Sequence, residues 1–153
     1  MPRHSETRHL LYTPDQLFDL VADVGSYDEF LPWVSAVRIR SASEQEVVAD
    51  LIVGFTAFKE RFTSRVTKHR PGHICVDYVE GPLKYLKNEW RFEPAPQGGT
   101  DVHFSVDFAF KSRLFESLAG QMFDRALRRM TGAFEKRAAE LYGISSSSAQ
   151  SAA

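Results

Sequence analysis

Acid–base, nucleophilic or metal chemistry would have to come from a short set of side chains. The chain has five histidines (His4, His9, His69, His73, His103) and one cysteine, Cys75. A single cysteine excludes an internal disulfide, and no cysteine-based zinc site is expected from it. None of the histidines stands at metal-ligand spacing from a carboxylate or another histidine. His69 and His73 flank Arg70-Pro71-Gly72 and read as solvated turn residues. Cys75 stands between Ile74 and Val76 and reads as a small packing residue. In the run Val102–Phe110, His103 and Asp107 fall on the side opposite the phenylalanines. Nucleophile motif, phosphate loop and glycine fingerprint are all missing. The expectation is a binding protein rather than an enzyme, with no catalytic residue, no metal and no covalent cofactor.

Two polar residues stand out because their strands aim them at an apolar side. Period-2 alternation puts Phe58, Glu60, Phe62, Ser64 and Val66 on one face, and Lys59, Arg61, Thr63, Arg65 and Thr67 on the other. The basic face is the wet one, so Glu60 is expected to point inward. A buried lone carboxylate is costly unless hydrogen-bonded, and its pKa rises. It would then serve a ligand head group or an ordered water; a bulge at Lys59 would instead turn it outward. Asn88 shares its face with Leu86, Trp90 and Phe92 and carries the same argument.

The elements that must position these groups follow from periodicity. His4–Tyr12 reads as a first strand. Thr13-Pro14-Asp15-Gln16 opens a helix running to about Val24, with Thr13 as cap, Pro14 in the first turn and Gln16 completing a capping box. Tyr12 and Leu17 are placed as a hydrophobic staple. A second short turn at Tyr27–Leu31 ends at Pro32. Six strands follow, near Val34–Ser41, Glu46–Val53, Lys59–His69, His73–Glu80, Tyr85–Glu93 and Thr100–Phe110, with connections short enough to demand antiparallel neighbours. One long helix spans Ser112–Tyr142, capped by Ser112 and stopped at Gly143. About half its circumference is apolar, more than a flat sheet needs, and Ala119, Ala126 and Ala133 recur there every seven residues beside Met122 and Met130. This is an α+β domain: a curved seven-stranded antiparallel sheet wrapped around a long C-terminal helix, with two short helices after strand 1. It is expected to occupy residues 1–144, with a Ser/Ala-rich disordered tail at 145–153.

Five fragments stand in a recognisable order: Asp28-Glu29-Phe30-Leu31-Pro32-Trp33, Val53-Gly54-Phe55, Glu60–Val66, Gly81-Pro82-Leu83 with Asn88–Phe92, and Phe108–Ser112. Ala133–Ala138 and Leu141-Tyr142-Gly143 continue them. Together they resemble the coenzyme Q-binding protein family of the START-like, helix-grip (polyketide cyclase) superfamily, over nearly all of residues 4–143. The resemblance implies a helix-grip fold and a lipid cavity that holds ubiquinone, an isoprenoid quinone, and supports respiratory electron transfer without catalysis. A close bacterial branch, the ribosome association toxins, supplies the alternative, binding to the large ribosomal subunit and blocking subunit joining. The cavity wall is expected from Trp33, Val53, Phe55, Phe62, Trp90, Phe104, Phe108, Met122, Ala126 and Met130, with Glu60 and Asn88 as its polar contacts.

Charge and composition set the surroundings. A net charge of −1 gives no global field for DNA. Basic strips at Lys59, Arg61, Arg65, Lys68 and Arg70, and at Arg125, Arg128, Arg129 and Lys136, are the features an RNA partner would use, although a solvated face explains both better and Asp124, Glu135 and Glu140 dilute the second. No run reaches transmembrane length and the N-terminus lacks a signal-peptide core. A cytoplasmic protein with peripheral contact at the inner face of the membrane is expected. Phe30 to Trp33 forms a stiff apolar loop, since Pro32 forces Leu31 extended, and Trp33 suits a boundary between water and lipid.

Overall fold

The computed structural model describes residues 3–55 and 58–143; the side chains of Phe55 and Phe58 lie outside that description, as does the expected tail at 145–153. The chain runs through β1 (Arg3–Leu10), α1 (Pro14–Ala22), a 3₁₀ helix (Val24–Glu29), β2 (Val34–Ala42), β3 (Glu46–Phe55) and β4 (Phe58–His69). It continues through β5 (His73–Glu80), β6 (Leu83–Pro94), β7 (Thr100–Phe110), α2 (Arg113–Arg128) and α3 (Met130–Tyr142). All seven strands form one antiparallel sheet in the order β1-β7-β6-β5-β4-β3-β2. The last strand closes back onto the first, so the C-terminal helices are delivered across one face of the sheet. This is the helix-grip arrangement expected from the sequence.

Local signals fix the helix starts. Thr13 Oγ1 accepts from the Gln16 amide at 3.1 Å, and Gln16 Oε1 accepts from the Thr13 amide at 2.9 Å, completing the capping box. Tyr12 and Leu17 are both buried beneath it. Ser112 Oγ accepts from the Phe115 amide at 3.2 Å and starts α2. The expected second turn is the 3₁₀ helix, which begins earlier, at Val24, and ends before Phe30.

The C-terminal helix departs from the expected single rod. Arg129 takes φ −93° and ψ −2°, and its amide is shared by the carbonyls of Arg125 and Ala126, both at 3.1 Å. That one residue divides the rod into α2 and α3. Each half has its own aromatic anchor in the sheet. Phe123 of α2 stacks on Phe62 at 5.6 Å and meets Phe108 at 4.9 Å and Phe110 at 5.5 Å. Phe134 of α3 meets Trp90 at 4.9 Å, Phe30 at 5.0 Å and Tyr27 at 5.3 Å. Edge-to-face aromatic pairs add to the large area such rings bury, so these two side chains hold the helices down. Leu118, which the helical wheel places inward, is 60% exposed, and its neighbour Ala119, 1% exposed, takes the inward position instead.

Candidate ligand cavity

Between the two anchors the helix side is thin. Ala126 presents a methyl group there, followed by Leu127 and Met130, and a cavity of about 120 Å³ opens beneath them. A single water needs only roughly 10–15 Å³, so this is more than a packing defect. Its floor is the concave face of β3 to β7, with Leu51 and Val53, Phe62 and Val66, Val76, Leu86 and Trp90, and Val106. Its near wall comes from the segment after α1: Val24, Tyr27, Leu31, Trp33 and Val34.

Polar groups are few and mostly engaged. Asn88 Nδ2 donates to the Ser105 carbonyl at 2.9 Å, and its Oδ1 accepts from Trp90 Nε1 at 3.0 Å. That leaves one further amide N–H and one carbonyl lone pair on Asn88, in a wall that is otherwise apolar. Ser64 contributes a hydroxyl from β4. The Tyr27 hydroxyl donates to the Val21 carbonyl, and burial, then the nearby Asp23 carboxylate, push its pKa well above the ordinary phenol value. Tyr27 is therefore a neutral structural post. The side chains offer hydrogen bonds to a ligand carbonyl or hydroxyl and no charge to neutralise an ion.

The expected wall residues divide clearly. Trp33, Val53, Phe62, Asn88, Trp90, Ala126 and Met130 all line the cavity. Phe104 and Phe108 point into the core as expected, but their space is filled: Phe104 packs on Trp90 at 4.7 Å and Phe108 on Phe123. Met122 lines a groove outside, with Pro32, Gly54, Arg125 and Arg129. The Phe55 side chain is outside the described residues. Glu60 corrects the expectation of a buried carboxylate. Its Cα lies opposite that of Val53, on the concave side as the alternation says, yet the residue is exposed. Phe62, two residues further along β4, is covered by Phe123 at 5.6 Å, whereas Glu60 is left to solvent. Alternation does not reach Tyr27 and Leu31, because they come from the 3₁₀ helix and the loop after it, which have no strand period; Val34 is the first residue of β2. For Leu31 and Val34 the signal is the dense apolar segment Phe30–Val34.

The opening is at Trp33. This half-buried side chain and Ala126 line both the cavity and the outer groove, so they form the boundary between interior and surface. The Trp33 carbonyl accepts from the Gly54 amide at 2.9 Å, which ties the loop to the end of β3. A second surface groove on the other side of Trp33 carries Arg8, Arg128, Lys136 and Arg137.

Residues 10–135 match the model of the family described as polyketide cyclase / dehydrase and lipid transport. The chain belongs to that family. Within it, the chain is 41% identical over 139 residues to the ribosome association toxin RatA of Rickettsia prowazekii, covering 88% of this chain and 94% of that protein. It is 36% identical over 147 residues to the mitochondrial coenzyme Q-binding protein COQ10 homolog B of Xenopus laevis, covering 92% of this chain but spanning only 59% of that protein. The solution structure of the 18 kDa protein CC1736 from Caulobacter crescentus superimposes with a TM-score of 0.71 at 40% identity, over 94% of this chain and 99% of that one. The lipid-transport part of the family's description agrees with a cavity whose walls are hydrocarbon apart from Asn88 and Ser64. Among the described residues, no helix is long and apolar enough to cross a membrane.

Proposed function

We propose that the protein binds ubiquinone, or a closely related isoprenoid quinone, without catalysis in this cavity and serves respiratory electron transport as a carrier or chaperone. The observation that carries the reading is the cavity itself: hydrocarbon walls, Asn88 and Ser64 as the polar pair, and a mouth at Trp33 and Ala126. The similarity to a coenzyme Q-binding protein supports it. A quinone ring needs acceptors satisfied and no counter-ion, which Asn88 provides. Each buried CH₂ contributes about 0.8 kcal/mol, so two or three prenyl units can offset the cost of immobilising the ligand. Tail length should then matter more to affinity than ring substitution. Such a ligand is taken from a bilayer, so the protein acts at the inner face of the membrane by peripheral contact.

The 41% identity to a ribosome association toxin favours a second reading, in which the partner is the large ribosomal subunit. Arg125, Arg128 and Arg129 on the outer side of the helix break are exposed and would meet RNA phosphate. Arg128 is already bonded to Asp124 at 2.9 Å, which dilutes that face. One pair of measurements separates the two. Deleting the gene slows quinone-dependent oxygen uptake with total quinone unchanged under the first reading, and overexpression leaves sucrose-gradient ribosome profiles intact. Loss of assembled ribosomes on overexpression, with respiration unaffected by deletion, selects the second.

A further inference from the structure

The convex face of the sheet carries a side-chain cluster that the cavity does not use. In β5, Ile74 is fully buried, so His73 and Cys75 on either side of it face outward. Across the ladder, Glu89 of β6 is the partner of Cys75. His73 Nε2 and Glu89 Oε2 are 2.7 Å apart, Cys75 Sγ is 3.3 Å from His73 Nε2, and it is 4.0 Å from Glu89 Oε2. One ligand atom from each of the three residues lies within 4.8 Å of the others.

These separations match a metal's coordination edges. Zinc holds sulfur at about 2.3 Å and nitrogen or oxygen at about 2.0–2.2 Å, so two tetrahedral ligands stand roughly 3.3–3.6 Å apart. The sulfur–nitrogen distance is already there, and the other two miss by roughly half an ångström in opposite directions, within the reach of small side-chain rotations. Imidazole, thiolate and carboxylate together suit zinc and disfavour magnesium and calcium, which take oxygen ligands. The three residues sit on adjacent strands in the middle of the sheet, so the backbone beneath them is fixed by ladders on both sides.

We propose that His73, Cys75 and Glu89 bind one divalent transition-metal ion of the zinc type on the convex face, behind the cavity wall. On binding, the Cys75 thiol releases its proton to solvent and the thiolate becomes a ligand; a water fills the fourth position. Arg91 Nη2, now 3.2 Å from Glu89 Oε2, gives up that oxygen to the metal. His69, whose ring stacks on that of His73 with centroids 5.8 Å apart, flanks the site.

The test uses the full chain, stripped with chelator and titrated with Co²⁺ and then Zn²⁺. One equivalent of Co²⁺ should produce a thiolate-to-cobalt charge-transfer band in the near ultraviolet, and Zn²⁺ but not excess Mg²⁺ should abolish it. Cys75→Ser should remove the band, and both Cys75→Ser and His73→Ala should weaken Zn²⁺ binding at least about tenfold. His103→Ala, on the same face but hydrogen-bonded to Glu93 and Thr7, should leave it unchanged. All three positions lie outside the core, and circular dichroism confirms that each variant is folded. A wild-type chain without the band, or Zn²⁺ binding that survives both ligand substitutions, overturns the proposal.

Discussion

Asp50 is 3% exposed, yet it is a carboxylate on β3. Thr63 Oγ1 donates to its Oδ1 at 2.6 Å and Arg40 Nε to its Oδ2 at 2.9 Å. The Thr63 hydrogen bond, and then that from Arg40, outweigh burial and hold its pKa below the ordinary carboxylate value. A depressed folded pKa fixes the sign of the pH effect. The stabilisation is fully present above the unfolded value of about 3.9 and is lost as pH falls through the folded one. Urea midpoints between pH 7 and pH 3 should therefore fall at the acid end, and Asp50→Asn should flatten that fall. Asp50→Ala, which strands the Thr63 hydroxyl, should cost about 1–3 kcal/mol at neutral pH. Trp33 makes a different prediction. A purely structural tryptophan costs roughly 3–5 kcal/mol on truncation. Because Trp33 is half-buried at the mouth, Trp33→Ala should cost less than that and slow quinone transfer from vesicles far more. A large midpoint drop with normal transfer by the folded fraction would end its role as a gate.

The elements divide into those that hold the fold and those that shape the void. Phe123→Ala and Phe134→Ala should each cost about 3–5 kcal/mol by chemical denaturation, because each removes the anchor of one helix. Leu118→Ala, on an exposed turn of the same α2, should change stability by no more than about 0.5 kcal/mol. Equal losses at all three would mean that α2 and α3 are not held by these rings. Strand count, antiparallel order and the caps at Thr13 and Ser112 were legible in the sequence because alternation, short turns and capping are local. The break at Arg129 was not, since neither proline nor glycine stands there and only ψ records it. Periodicity also says which side a residue faces, not how far the cover extends. Hence Asn88 lines the cavity on the face that alternation gives it, Glu60 shares the concave side but is exposed, and Phe104 and Phe108 point inward into space that neighbouring rings occupy. The His73–Cys75–Glu89 cluster is not legible in the sequence for a related reason: its third member comes from the next strand, and only register brings it in.

For the molecule as a whole, the proposed quinone site is the void between the Phe123 and Phe134 anchors. Both tryptophans of the chain, Trp33 and Trp90, line that void. A quinone bound there must quench essentially all of the indole emission, which makes fluorescence titration with a short-tailed ubiquinone the most direct measurement. The comparison chain is Ala126→Phe, which fills the cavity from the helix side at a stability cost of about 1–3 kcal/mol. The wild type should show saturable, one-to-one quenching, tightening with each added prenyl unit, and the folded Ala126→Phe chain should show only weak linear quenching. Linear quenching in both chains, or saturable quenching unchanged by Ala126→Phe, would contradict the claim that this cavity holds quinone.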